Sequence, residues 1–169
     1  MKKILPILLI LPLFISNCKK SDPILFEMVY AEDFVIPAGL NPFDAHYFVL
    51  KDIPVGTYLS ARNLTADMLN SITPKAANFV NAFAGTAGYD FIREISVRIY
   101  KDNENDWKEI FYHFNVPENT EDNLGIIPSL EDVKFYLNGQ TYNIIVKLDL
   151  RRAPLQNIET QFRFSFGAK

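Results

Sequence analysis

Cysteine is almost missing from this 169-residue chain: Cys18 is the single one. One thiol cannot close an internal disulfide, so there is no disulfide framework and no thiolate metal cluster. Histidine is nearly as scarce. His46 and His113 both lie in strand-like stretches, and neither sits beside a serine or cysteine nucleophile motif. There is no G-x-S-x-G, no H-E-x-x-H and no phosphate loop. A His46–His113 metal pair would need neighbouring strands and a third ligand that the sequence does not offer. Positive charge is not in excess either: 17 basic residues face 20 acidic ones, for a formal charge of −3. A mildly acidic chain argues against nucleic acid and against attraction to anionic lipid heads. Internal repeats and low-complexity tracts are absent. The expectation is a chain without cofactor or metal, and not an enzyme.

Long apolar runs are limited to one, at the start. Lys2 and Lys3 lead Ile4–Ile15, followed by Ser16, Asn17 and Cys18. As a helix that run reaches about 18 Å at 1.5 Å per residue, too short for a hydrocarbon core of about 30 Å. Pro6 and Pro12 weaken a permanent helix further. A positive start followed by a short apolar segment is the layout of a secretory signal peptide, yet no A-x-A-like cleavage site follows. Ile15-Ser16-Asn17-Cys18 instead resembles the lipobox of bacterial lipoproteins, in which the cysteine becomes the lipidated first residue. Asn17 stands where Gly, Ala or Ser is expected. The resemblance implies a signal peptide over 1–17, a lipidated Cys18 with a short tether over 18–23, and one domain over 24–169. It also implies several acyl chains and hence a permanent anchor, since two or more hold stably. Lys19, where an Asp would favour inner-membrane retention, points to the outer membrane, on either its periplasmic face or the cell surface. Ile36–Pro42, followed by His46-Tyr47-Phe48, loosely resembles stretches in lipoproteins of the Bacteroidota, which implies no activity. Loss of residues 1–17 removes two lysines and leaves fifteen basic against twenty acidic side chains, a charge of −5. Lys19–Pro23 spans at most about 18 Å at 3.6 Å per residue, so the domain is expected close to the membrane.

The domain itself reads as mainly β. Ile24–Tyr30 alternates, with Ile24, Phe26, Met28 and Tyr30 on one face. Ala45–Leu50, Phe91–Tyr100 and Trp107–Asn115 follow, the last two as a hairpin around Lys101–Asp106. Ile158–Phe166 closes the series with Phe162, Phe164 and Phe166 inward. Asn138-Gly139 suggests a two-residue type I′ turn, which would set Phe135 opposite Tyr142 and Val133 opposite Ile144. Pro117–Ser129 reads as a long acidic loop. Thr73-Pro74 suggests a helix cap with proline at the first position. Ala76, Phe79, Val80 and Phe83 share helical spacing, so one amphipathic helix is expected over residues 73–85. The expected fold is an antiparallel β-sandwich, immunoglobulin-like, with an open barrel as the alternative.

Two residue groups invite chemistry. Asp102-Asn103-Glu104-Asn105-Asp106 looks calcium-like but lacks the glycine and glutamate of an EF-hand loop, so a solvated hairpin tip is expected. Trp107, Tyr100 and Tyr112 suggest a stacking platform for a sugar, or simply cross-strand packing. The expected function is that of a non-enzymatic outer-membrane lipoprotein, a membrane-proximal binding or scaffold subunit for a partner protein in an outer-membrane complex. A glycan- or peptide-binding module is the alternative, and a hydrolase stands behind both.

Overall fold

The structure, a computed structural model, describes residues 23–83 and 87–169. The lipobox-like stretch and Cys18 lie outside the described residues.

Eight strands make up the domain: β1 (Phe26–Ile36), β2 (Ala45–Pro54), β3 (Ile72–Asn81), β4 (Ile92–Tyr100), β5 (Trp107–His113), β6 (Asn123–Pro128), β7 (Thr141–Leu150) and β8 (Ile158–Ala168). They form one antiparallel sheet in the order β1-β8-β3-β6-β5-β4-β7-β2. The first strand therefore pairs with the last, the second with the seventh, the third with the sixth and the fourth with the fifth. The chain is folded in half and then rolled. The order is not that of an immunoglobulin sandwich, where the first two strands are neighbours; here β1 and β2 are the two edges.

The sheet bends sharply between β5 and β6, which share only the pairs Phe111↔Pro128 and Tyr112↔Ile127. Two four-stranded halves then face each other, and the apolar side of each fills the space between. From β8 come Phe162, Phe164 and Phe166; from β7 come Tyr142, Ile144, Val146 and Leu148, all buried. Ring contacts cross the interior, with Phe111 6.1 Å from Phe162 and 6.3 Å from Phe166. The two edge strands nearly meet. Phe34 and Phe48 pack at 5.3 Å, the Tyr30 hydroxyl donates to the Val55 carbonyl at 2.9 Å, and the Tyr58 hydroxyl to that of Val29 at 2.6 Å. Side chains bridge the seam where a backbone ladder would close a barrel.

Four sequence expectations need correction. No amphipathic helix occupies 73–81: those residues belong to β3. A bulge between Pro74 and Ala76 in the β3–β8 register adds one residue. It shifts the alternation so that Ile72, Pro74, Ala77, Phe79 and Asn81 are buried; past the bulge apolar residues stand on both faces, Phe79 inward with Ala76 and Val80 outward, and that two-sided pattern is what imitates helical spacing. Proline is at home at such a bulge. Second, Asn138-Gly139 is not a hairpin turn. A type I′ turn needs positive φ at both central residues, and neither has it. Residues 133–137 coil into a tight turn, with the Tyr136 and Leu137 amides donating hydrogen bonds to the Val133 carbonyl. β7 pairs with β2 and β4 instead. Third, the acidic loop over 117–129 contains β6, where Leu124 and Ile126 face inward. Fourth, the seven or so strands that the alternating stretches suggest become eight.

Antiparallel pairing divides the connections between two ends. Pro23, the connections 55–71, 101–106 and 129–140, and the terminal Lys169 lie at the entry end. The connections 37–44, 82–91, 114–122 and 151–157 lie at the far end. β1 has eleven residues, so the ends are about 36 Å apart at 3.3 Å per residue.

Candidate functional site

The far end is one surface rather than four separate loops. The Gly39 amide donates to the Pro154 carbonyl at 2.9 Å, and the Ala38 amide to Asn157 Oδ1 at 2.9 Å. Opposite them, the Tyr89 amide donates to the Glu121 carbonyl at 3.1 Å. A Cβ on Gly88 would come within 2.3 Å of the Thr120 carbonyl oxygen, so this contact depends on glycine. Arg152 pairs with Asp90, Arg151 pairs with Glu118 at 3.6 Å, and Arg151 also donates to the Val116 carbonyl. The arginines tie the 151–157 connection to its neighbours.

On this knit base stand exposed apolar side chains. Phe43 is 95% exposed and Leu155 93%. Phe114 and Phe83 are exposed as well, with the Phe114 ring tilted against Tyr112 at 5.1 Å. Each of the four connections presents one. Exposed apolar groups gathered on one face mark contact surfaces. The sequence reading passed over them, although Pro42-Phe43-Asp44 and Pro154-Leu155-Gln156 carry the signal: an apolar residue directly after a turn proline has no strand in which to hide.

A second feature is a groove of about 400 Å³ on the outer side of β1, β8 and β3. Its polar wall is a relay across strands: Arg163 Nε donates to Gln161 Oε1 at 2.6 Å, and Gln161 Nε2 donates to Asp33 Oδ1 at 3.1 Å. Arg163 also borders the adjoining hollow near Glu27. There the Lys75 ammonium holds the Glu27 carboxyl below its usual range, helped by the Ser165 hydroxyl. On the inward side of β1, burial and then neighbouring Asp33 raise the Glu32 carboxyl.

The aromatic group singled out from sequence is only partly assembled. Tyr100 and Trp107 are direct cross-strand partners, but Tyr100 is buried while Trp107 is 41% exposed. One face of the Trp107 ring is covered by the Arg98 guanidinium at 4.0 Å. Arg98 Nε in turn donates to Ser96 Oγ at 3.2 Å, and Ser96 Oγ to Glu109 at 2.6 Å. Tyr112 lies five residues along β5 from Trp107, about 16 Å away at 3.3 Å per residue, so the three rings form no common platform. The 102–106 stretch is a hairpin tip, with its turn closed by Asn103 accepting from the Asp106 and Asn105 amides.

His46 and His113 are not on neighbouring strands. Their row runs His46–Leu148–Ile95–His113, so two strands separate them, about 14 Å at 4.8 Å per strand. His46 Nε2 bonds the Asn41 carbonyl at 2.8 Å and His113 Nδ1 that of Phe114 at 3.1 Å. Among the described residues no group of three or more His, Cys, Asp or Glu could hold a metal.

No family model, curated protein or solved structure matches this chain.

Proposed function

We propose that this protein is a non-enzymatic lipoprotein, held at the outer membrane through Cys18, whose far end docks a partner protein. The observation that carries the reading is the set of apolar tips, led by Phe43 and Leu155, on a rigidly bonded surface about 36 Å from the point where the chain enters. An anchor at the entry end directs those tips away from the lipid. In fold terms we read the rolled, half-folded chain as a β-sandwich of jelly-roll winding, closed almost to a barrel.

The test has two arms. Cys18→Ala should abolish acylation and move the protein from the membrane pellet to the soluble fraction; a mutant that stays in the pellet would remove the anchor from the reading. Capture of the tagged protein in mild detergent should bring down a near-stoichiometric membrane protein. The double substitution Phe43→Ser with Leu155→Ser should cut that recovery by about tenfold, the effect of losing about 1.4 kcal/mol. Unchanged recovery would place the partner surface elsewhere.

A second reading has its own observation, the Arg163 groove. A polar relay with few rings suits a hydrogen-bonding ligand such as a glycan or an extended peptide. Saturable binding in a glycan and peptide screen, lost in Arg163→Ala, would favour it over protein docking.

A further inference from the structure

We infer that the entry end of the molecule is a lipid-seated face, laying Leu25, Met68, Leu130 and Phe135 against the head-group boundary of the membrane that holds the anchor. The inference rests on the lipid-anchor reading above and goes beyond it: a tethered domain need not touch the bilayer, whereas this one does so in a fixed orientation.

The four side chains are 66%, 66%, 96% and 65% exposed. They come from three separate segments that are bonded into a single floor. The Leu25 amide donates to the Ala168 carbonyl at 2.8 Å, the Asn70 amide to that of Lys169 at 2.7 Å, and the Val133 amide to that of Ile72 at 2.8 Å. Lys134 Nζ reaches the Leu69 carbonyl at 3.1 Å. Asp132 Oδ1 accepts from the Ile72 and Lys134 amides, both at 3.0 Å. A floor cross-linked in this way holds its apolar tips in place instead of letting them fold back.

Three lysines of the floor are spent within it. Besides Lys134, Lys101 Nζ donates to the Asn138 carbonyl at 2.8 Å, and Lys108 pairs with Glu131. What remains facing outward is the apolar tips together with the exposed acidic side chains of the 101–106 connection, Asp102, Glu104 and Asp106, which suits a zwitterionic lipid surface and gives no attraction to anionic heads.

The chain outside the described residues decides the occupant. It joins the domain at Pro23, on this same end, five residues after Cys18. At 3.6 Å per residue that tether is under about 18 Å, which leaves little room for a second protein between domain and membrane. Apolar side chains at such a boundary bury about 5–10 Å deep.

Depth-dependent fluorescence tests the inference on the full-length lipidated protein. Trp107→Phe removes the single tryptophan; Phe135→Trp and Leu155→Trp are then made separately, with Met68→Trp as a second floor probe. Each protein is reconstituted into phosphatidylcholine vesicles carrying brominated acyl chains. Quenching at 135 and 68 should exceed that at 155 by at least about threefold, as insertion of only one end requires. Equal or absent quenching at 135 and 68, in protein that still floats with the vesicles, overturns the seating while leaving the anchor intact. Protein that fails to float at all overturns the anchor reading, and the seating falls with it. Quenching that appears only at 155 would mean that the opposite end faces the lipid, which refutes the inference outright.

Discussion

The same substitution at two phenylalanines separates the rolled sheet from the hairpin that the sequence suggests. Phe162 is fully buried on β8, with ring centroids 4.5 Å from Phe164, 5.3 Å from Phe79 and 6.1 Å from Phe111. Phe135 is 65% exposed and its ring meets only the adjacent Tyr136, at 5.3 Å, among the described contacts. Truncation of a buried Phe to Ala costs about 3–5 kcal/mol through lost transfer energy and the residual cavity. Loss of packed ring pairs keeps Phe162 at the upper part of that range. Against a total stability of about 5–15 kcal/mol, Phe162→Ala removes a large share, and at about 2–4 °C per kcal/mol the midpoint should fall by roughly 8–20 °C. Phe135→Ala should stay within about 0.5 kcal/mol, as exposed sites do. Urea unfolding followed by circular dichroism measures both, with the m-value held constant as the check that only stability has changed. A type I′ hairpin at Asn138-Gly139 would bury Phe135 against Tyr142 and reverse the expectation for that site. A cost of about 3 kcal/mol at Phe135, with less than about 1 at Phe162, would refute the strand order described here.

Three further outcomes follow from particular contacts. Gly88→Ala forces a Cβ to within 2.3 Å of a backbone carbonyl, so urea unfolding should show a loss of about 1–3 kcal/mol; an unchanged midpoint would mean that the 82–91 and 114–122 connections do not touch. Tyr142→Phe removes a buried hydroxyl without a hydrogen-bond partner, and stability should hold or rise slightly, a drop of more than about 1 kcal/mol counting against that burial. Desolvation pushes the Tyr89 hydroxyl up to about 12 and raises Tyr30 and Tyr142 as well. A raised native pKa means that the stability from the neutral form is complete below about pH 10, where unfolded tyrosine titrates, and drains away as pH climbs through the native value. Tyrosinate absorbance should therefore show a late-titrating group that ionises together with unfolding; smooth titration near pH 10 would contradict its burial.

The strands that the sequence displayed clearly are those with an unbroken period of two. β8 shows Phe162, Phe164 and Phe166, and β4 shows Ile95, Val97 and Ile99, because one face of each is fully buried. β3 was hidden because its bulge breaks the period of two and because Ala76 and Val80 lie on the outward face beside inward-facing Phe79, which copies a helical stripe. β6 was hidden by brevity: six residues that include Gly125 and Pro128 offer only Leu124 and Ile126 as signal. The Asn-Gly pair misled because turn chemistry is local, whereas β7 is placed by long-range partners on both sides. Trp107 was visible as an unusual residue, but its guanidinium cover depends on the bulge between Val97 and Arg98, which no spacing rule reveals. The apolar tips were legible in principle at Pro42-Phe43 and Pro154-Leu155, where proline ends any strand and leaves the next side chain outside.

The pairing of first with last strand links these observations. Since Phe26 lies opposite Ala168, both termini of the domain fall at one end, and every second connection falls at the other. Under the proposed lipid anchor, a single attachment before Pro23 would set the orientation of the whole domain. The seam ties the two edges of the sheet together as well: Tyr30 and Tyr58 bond across to Val55 and Val29, so β1 is held against the opposite edge. Glu32 completes the arrangement. It points inward on an edge strand, paired in register with Phe162, and an inward carboxylate discourages a second sheet from adding at that edge. Glu32→Val should therefore favour self-association, seen as a concentration-dependent increase in sedimentation coefficient. A variant that stays as monodisperse as the parent would show that the tyrosine bridges alone protect the seam.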